Sequence, residues 1–552
     1  VTETDIPPLT EGTDTVGATG YARSTATMTA LTAVSRGTGF LRILVVTGVL
    51  GTTFLANTYE TANTVPNILF ELFAAGALQA VMIPAIVAMV DRGDDRETEH
   101  VVGSVLGLSL AAIGTIAAAA MVAAPLLMRV MVSDVPSAQV RAAEVQLGTF
   151  FLFFFLPQVL LYVGNVVATA VLNATGSFAL PVFAPTVNNV VVIATYLTFA
   201  AMRHGQPPTL DISLAEKLVL AVGTTLGVVA FCAIPIAAAS RRVRLRLHFD
   251  HRHPAVRRLG REGAWAAVFL ALSQVLLVVM LQISNRREGA VAVYQLAWVV
   301  FLLPHSLFSV PVMTTRFPSM SRQITAGAWS GYGETLGRGV RAITFLTLPA
   351  TTLLIALARP VTRIIVHGHA VSRLPEIAEA VAGFAPGIAG YGLFLYFTRG
   401  CYAQRDARTP TLVNAVVTVV GVVLMFPLAD AVAGRHLVTV LGVSYAVANT
   451  IGAICLWVVL HRRVGAHHGI AHGTIGALVR NVTAATVAGV VVWLAIHHLG
   501  PRGVVESIAQ VVVGTLVGLA LYLLVQMVLG GPAPVLAVRS LGSAGRGEHT
   551  DR

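Results

Sequence analysis

Lysine is almost missing from this chain: Lys217 is the only one among 37 basic residues. A Walker A loop needs a lysine directly after its last glycine to reach the phosphates, and Lys217 sits in AEKLV, so the chain cannot be a P-loop ATPase by itself. Energy for any transport comes from an ion gradient, a membrane potential, downhill substrate flow or a separate subunit. Cysteine is scarce as well. Cys232, Cys401 and Cys455 lie far apart in or beside apolar segments, which excludes a disulfide framework or zinc spacing and leaves them as packing residues. Histidines 367, 369, 467, 468 and 472 lack accompanying carboxylates or cysteines and read as solvated loop residues, so neither metal nor cofactor is expected. Asp134, Glu144 and Asp211 are isolated, and no serine–histidine–acid arrangement falls in an apolar segment. Hydrolysis and glycosyl transfer are therefore not expected; transport is.

Charge is the last shortage. Charged residues make up 11% of the chain against 55% hydrophobic, with a mean hydropathy of +0.77, which excludes an ordinary soluble domain. Runs such as 106–127 are continuously apolar over a bilayer-spanning length, unlike the short alternating segments of an outer-membrane barrel. The expectation is an all-α, polytopic integral membrane protein of about fourteen transmembrane helices, at 26–50, 57–90, 101–130, 145–171, 181–202, 213–239, 263–285, 290–318, 336–358, 378–402, 410–430, 436–460, 475–497 and 504–530. The net charge of +11 concentrates in loops, above all 241–262, which reads as a cytoplasmic topology signal and not as a nucleic-acid site. An even helix count puts both termini on the cytoplasmic side, with residues 1–24 a disordered polar tail and 531–552 a second tail. Arg359, Arg363 and Arg373 fall on the wrong side of this scheme.

The chain also reads as duplicated. PTVNNVVVI from Pro185 parallels PTLVNAVVTV from Pro410, each with an asparagine four residues on, Asn189 or Asn414. An aromatic helix bearing a proline precedes each, at Pro157 and Pro386. This predicts a six-helix lobe over 25–240, the basic loop 241–262, a second six-helix lobe over 263–460, a cytoplasmic loop 461–474, and two further helices over 475–530. Parallel repeats of this kind place a substrate path between the lobes.

One stretch breaks the apolar pattern. Glu60, Asn63, Asn67 and Glu71 recur at intervals of three, four and four, which sets them on one stripe of a helix, and Asn57 precedes them. Arg36 and Arg42 lie just upstream, about 120° apart on a regular helix at 100° per residue. Gly37, Thr38 and Gly39 between them suggest local unwinding that would aim both guanidinium groups into one space, and Pro66 suggests a bend. An ionisable side chain at membrane depth costs about 2.5–3.5 kcal/mol on insertion scales, so such a cluster calls for a water- or ligand-filled cavity.

The patterns SRGTGFLR, NTVPNILFELFAAGALQAVMIP, YQLAWVVFLLPHSLFSVPVMTTRFPSMSR and FTRGCYAQRDARTP occur in the order found in the MurJ (MviN) family of lipid II flippases, of the MOP exporter superfamily, which this chain resembles over residues 25–530. The resemblance implies an inner-membrane transporter that carries undecaprenyl-diphosphate-linked disaccharide pentapeptide, lipid II, from the cytoplasmic to the periplasmic leaflet for peptidoglycan synthesis. It implies no enzyme activity, a lipid-tail groove on the last two helices, contact with membrane lipids, and cell-wall synthesis proteins as possible partners. The substrate-binding set it implies, together with the polar stripe, is Arg36, Gly39, Arg42, Asn57, Glu60, Asn63, Asn67 and Glu71. Departures from the proteobacterial pattern at Asn57, Glu71 and Val299 look like an actinobacterial branch. They leave two arginines facing two glutamates, so either Glu60 and Glu71 pair with arginine in one conformation, or Arg286, Arg287 or Arg399 adds charge. Another superfamily transporter (a polysaccharide-lipid flippase or a cation/drug antiporter) and a non-transporting envelope scaffold are the alternatives. Intramembrane Arg36 and Glu60 argue against a scaffold, and helix seven offers Ser273, Gln274 and Gln282 but no acid for an antiporter.

Overall fold

A computed structural model describes residues 14–74, 95–244, 246–250, 254–432, 434–465, 473–499 and 503–530. Helices account for nearly all of it, and no strand occurs among the described residues. In chain order they are α1 (Asp14–Leu50), α2 (Phe54–Ala74), α3 (Asp95–Val122), α4 (Ala124–Met131), α5 (Ala138–Phe155), α6 (Gln158–Ala174), α7 (Ala179–Arg203) and α8 (Leu214–Ser240), followed by α9 (Pro254–Ser284), α10 (Ala290–Pro304), α11 (Val310–Thr325), α12 (Trp329–Ala356), α13 (Ala358–Ile365), α14 (Leu374–Phe384), α15 (Gly387–Ala403), α16 (Arg408–Ala431) and α17 (Leu437–Val464), and finally α18 (Thr474–Leu499) and α19 (Val504–Val528).

Among the described residues thirteen segments are long and apolar enough to cross a membrane. Helix α2 is not one of them, because Asn57, Glu60, Asn63, Asn67 and Glu71 depress its hydropathy; the sequence range 57–90 otherwise continues into residues outside those described. Proline explains where other expected single helices divide. The span expected at 145–171 is α5 and α6, parted at Pro157, and the span at 378–402 is α14 and α15, parted at Pro386. A π-helical turn at His305–Ser309 follows Pro304 in the span expected at 290–318. The local unwinding expected at Gly37–Gly39 does not occur. Helix α1 runs unbroken from Asp14 to Leu50, and Thr38 Oγ1 donates to Val34 O at 2.9 Å within it. Helix α2 likewise continues through Pro66.

The main helix pairs of the first half recur in the second. α1 packs on α7 as α9 packs on α16; α2 meets α5 as α10 meets α14; α3 meets α6 as α12 meets α15; and α8 gathers α5, α6 and α7 as α17 gathers α14, α15 and α16. The short helices α4 and α13 each dock on the following half-helix. Helices α18 and α19 stand outside this scheme and lean on α12 and α13. Each half has its own apolar interior, centred on Tyr59, Phe151 and Phe155 in the first and on Phe301, Phe384 and Tyr445 in the second. The outer surface is apolar too, with Leu226, Val419, Val423 and Leu516 exposed, as lipid contact requires.

Capping fixes where helices begin. Ser213 and Glu216 form a reciprocal capping box that starts α8, and Ser137 accepts from Val140 N–H to start α5. Part of the inter-lobe connection is tied down: His248 N–H donates to Gly103 O at 3.1 Å and Arg244 N–H to Glu99 at 3.4 Å, so residues 243–244 and 246–250 lie as a strap on α3.

Candidate functional site: a polar pocket sealed at one end

Where α1, α2, α7 and α10 converge, a pocket of ≈ 130 Å³ opens between the two halves. Arg42 and Thr47 come from α1, Glu60 and Asn63 from α2, Tyr196 from α7, and Gln295 and Val299 from α10. Because α1 is a regular helix, Arg36 lies about 9 Å along it from Arg42, from six residues at 1.5 Å each, and on a different face. Arg36 is exposed and outside the pocket lining; Arg42 is half-buried within it. Among the described residues neither arginine forms an ion pair.

The stripe on α2 divides. Glu60 and Asn63 line the pocket with Arg42, whereas Asn67 and Glu71 are exposed one and two turns beyond Asn63. Asn67 Nδ2 donates to Asn63 O at 3.0 Å, and Gln274 Nε2 of α9 donates to Glu71 at 2.6 Å, which ties α2 to the second half. Asn57 lies elsewhere. It is fully buried, its amide donating to Arg287 O at 2.9 Å and accepting from Val291 N–H at 3.2 Å, so it clamps the start of α2 to the turn before α10. Gly39 faces α7: a Cβ there would sit 3.4 Å from Asn189 Nδ2. Val299 does line the pocket, so the uncharged residue at that position leaves Arg42 as its one lining cation among the described residues. Sequence reading did not single out Gln295 or Tyr196; a glutamine inside YQLAWVVFLL was the available signal for the first, whereas nothing local marks the second.

Arg286 and Arg287 answer a different need. Arg286 reaches Asp134 of the first half at 2.8 Å and Asp430 of the second at 2.6 Å, and Arg287 reaches Glu376 at 2.8 Å. Burial would weaken the charge on Arg286, but the two aspartates outweigh it and raise its pKa. Beside them Asn285 Nδ2 donates to Thr61 Oγ1 at 3.1 Å and to Met131 O at 3.2 Å, and Gln282 Nε2 donates to Ser133 Oγ at 2.8 Å. Gly289, at φ 74°, lies so close to Thr52 that a Cβ would overlap its carbonyl oxygen, and only glycine takes this backbone conformation readily. Together these contacts seal one end of the inter-lobe path. Arg399 stands apart, its guanidinium 5.9 Å from the Phe317 ring.

The family description "Lipid II flippase MurJ" matches residues 46–529. The chain belongs to the MurJ family of lipid II flippases. It is accordingly a multi-pass inner-membrane transporter and not an enzyme. The Rhizobium tropici "Probable lipid II flippase MurJ" is 25% identical over 506 residues, 90% of this chain and 92% of that protein. The Burkholderia cenocepacia "Lipid II flippase MurJ" is 24% identical over 404 residues, 72% of this chain and 76% of that one. A solved lipid II flippase MurJ in an inward closed conformation superposes with a TM-score of 0.72 at 17% identity, over 91% of this chain and 99% of that chain. An inward-facing MATE multidrug transporter of the MOP superfamily follows at 0.62 and 14% identity, over 79% and 94%, and so shares the fold.

Proposed function

We propose that the pocket is the deep end of the headgroup site, with Arg42 binding the diphosphate of lipid II and Arg36 receiving it nearer the entrance. The observation that carries this reading is Arg42: a guanidinium without an ion-pair partner among the described residues, half-buried between the two halves, beside Glu60, Asn63 and Gln295. A planar guanidinium holds two phosphate oxygens at once, and a desolvated phosphate needs such a partner. At ≈ 130 Å³ the pocket is smaller than the ~300–1,000 Å³ typical of drug-sized ligands, so it suits the phosphates and not the whole disaccharide pentapeptide. Glu60 then competes with phosphate for Arg42, which favours release once α1 and α2 shift.

The charge pattern supports an inward-facing reading. Arg405, Arg408, Arg462 and Arg463 lie at one end, where Arg463 pairs with Asp406 at 2.8 Å; this end, with the basic strap and both termini, is cytoplasmic by the positive-inside rule. Arg286, Arg287 and Arg373 lie at the other end but are neutralised by Asp134, Asp430 and Glu376, which accounts for Arg373 among the three arginines on the wrong side but not for Arg359 and Arg363. The sealed end is then periplasmic. The groove between α18 and α19, ≈ 280 Å³ and lined by Val491, Ile496, Val513 and Val517, suits a polyprenyl tail. Cell-wall synthesis proteins are the partners this role calls for.

The test is complementation of a flippase-depleted strain, scoring which leaflet holds lipid II. Wild-type protein should restore periplasmic lipid II and Arg42→Ala should not; restoration by an equally abundant Arg42→Ala protein would refute the headgroup site.

A further inference from the structure

Glu144 is fully buried in the interior of the first half. Its Oε1 lies 3.1 Å from Thr58 Oγ1, and its Oε2 has no hydrogen-bond partner among the described residues. Thr58 Oγ1 also lies 2.8 Å from Phe54 O, and a hydroxyl has a single hydrogen. A backbone carbonyl has none to give. With the threonine hydrogen on Phe54 O, the contact to Glu144 becomes a hydrogen bond when the carboxyl is the donor.

Among the described residues no cation balances this group. Among the charged and polar groups on elements packed against α5, Glu60 turns to the pocket, and the Tyr59 hydroxyl is engaged by Thr224 at 2.6 Å and Tyr196 at 3.1 Å. On α8, Glu216 is held by Arg203, while Lys217 makes no ion pair with Glu144. Arg129 of α4 is exposed, Tyr162 of α6 packs on Phe70 and Phe231, and Arg141 on α5 itself donates to Ser133 O. Glu376 supplies the internal contrast. It lies in α14, the counterpart of α5, and is equally buried, but Arg287 and Arg373 reach its two oxygens at 2.8 and 3.3 Å. A buried carboxylate without such partners costs several kcal/mol, whereas a neutral carboxylic acid costs far less.

We propose that Glu144 is a proton-binding site coupled to the sealed end of the path. Its partner Thr58 sits in the same turn of α2 as Asn57 and Thr61, which hold the second half through the Arg287 carbonyl and Asn285. Opening the seal moves this turn, admits water to the carboxyl and lets its O–H proton pass to water as hydronium, leaving a carboxylate. Resealing returns one proton to it. Alkaline pH therefore favours the open arrangement and acid pH the sealed one, and a residue that cannot ionise holds the seal shut.

Infrared spectroscopy of the purified full chain in lipid bilayers tests this without substrate, so its outcome is separate from whether lipid II is the cargo. Subtracting the Glu144→Gln spectrum from wild type at neutral pH should leave the carbonyl stretch of a protonated carboxyl; carboxylate bands in its place would overturn the proposal. A cysteine at Ser284, fully buried in the sealed structure, should react with an impermeant thiol reagent several-fold faster as pH rises in the wild-type background, once its rate is divided by that of a cysteine at the exposed Ser133 to remove the thiol's own ionisation, and this ratio should stay low and flat with Glu144→Gln. Identical pH profiles in the two backgrounds would overturn the coupling. Should Glu144→Gln fail to accumulate, Glu144→Asp keeps the ionisable group and should shift the acid band; an unshifted spectrum would count against the assignment.

Discussion

Asn189 and Asn414 occupy matching stations in the two halves. Asn189 Nδ2 of α7 donates to Thr38 Oγ1 at 3.2 Å and Ser35 O at 3.4 Å of α1, and Asn414 Nδ2 of α16 donates to Ser273 Oγ at 3.0 Å and Phe269 O at 2.7 Å of α9. In each half a buried amide reads one hydroxyl and one carbonyl of the first helix. The asparagines in the PTVNN and PTLVN repeats thus hold equivalent helix pairs together.

Asn414→Leu should therefore destabilise the second half by about 1–3 kcal/mol, the cost of leaving Phe269 O and Ser273 with fewer buried partners. Asn189→Leu should cost less because its bonds are longer. Thermal unfolding of the two purified variants in one detergent checks the order; Asn189→Leu proving the more damaging would contradict it.

The two arginines proposed to bind phosphate should differ. Arg42→Ala should reduce lipid II translocation at least tenfold with protein levels unchanged, since a charge-assisted hydrogen bond to phosphate is worth about 1.5–3 kcal/mol. Arg36→Ala should be milder, and Arg42→Lys intermediate because a point charge lacks the fork. Were either arginine instead a structural partner of Glu60, its alanine variant would accumulate poorly and Glu60→Gln would rescue it.

The seal can be probed beneath Arg286. Ser284 is fully buried and its hydroxyl has no partner among the described residues, so a cysteine there is a quiet reporter. Arg286→Ala removes two half-exposed ion pairs worth about 1 kcal/mol each, and should raise labelling of that cysteine by an impermeant reagent roughly fivefold to thirtyfold. Unchanged labelling would show that Asn285 and Asn57 suffice to hold the seal.

Gly107 should tolerate no side chain. A Cβ there would overlap the His248 carbonyl oxygen, so Gly107→Ala must lift the 246–250 part of the strap from α3. Proteolysis at the inter-lobe connection, followed in membranes, should accelerate in this variant and not in Gly37→Ala, where a Cβ meets nothing within 4 Å.

Asp406 predicts an acid limb. Burial raises its pKa, but Thr409 through its hydroxyl and N–H, together with Arg463, holds it below the usual carboxylate value. A depressed folded value means that the unfolded chain binds the proton more readily, so this contribution is present above the unfolded value near 3.8 and is lost as pH falls through the folded one. Asp406→Asn should flatten the fall in melting temperature over that window.

The sequence alone determined the class and the family. Hydropathy over 552 residues leaves no alternative to a helical membrane protein, and the polar residues from Asn57 to Glu71 stood out as a break in the apolar pattern of an expected span. The duplication was legible because Pro157 and Pro386 interrupt hydrogen bonding wherever they stand, a local effect. Tertiary structure decided how the polar residues were shared out. Asn57 and Glu60 are three apart on one helix, and only the placement of α10 directs one to a buried clamp and the other to the pocket. Glu144 and Glu376 both stand in largely apolar stretches with an arginine three residues before them, Arg141 and Arg373, so their own segments do not tell whether the carboxyl is balanced. Residues 143 and 89 positions away in the chain do: Arg287 comes within reach of Glu376 and leaves Glu144 to a single threonine. Spacing fixes the face of a helix, but partners distant in sequence fix whether a charge on that face is balanced.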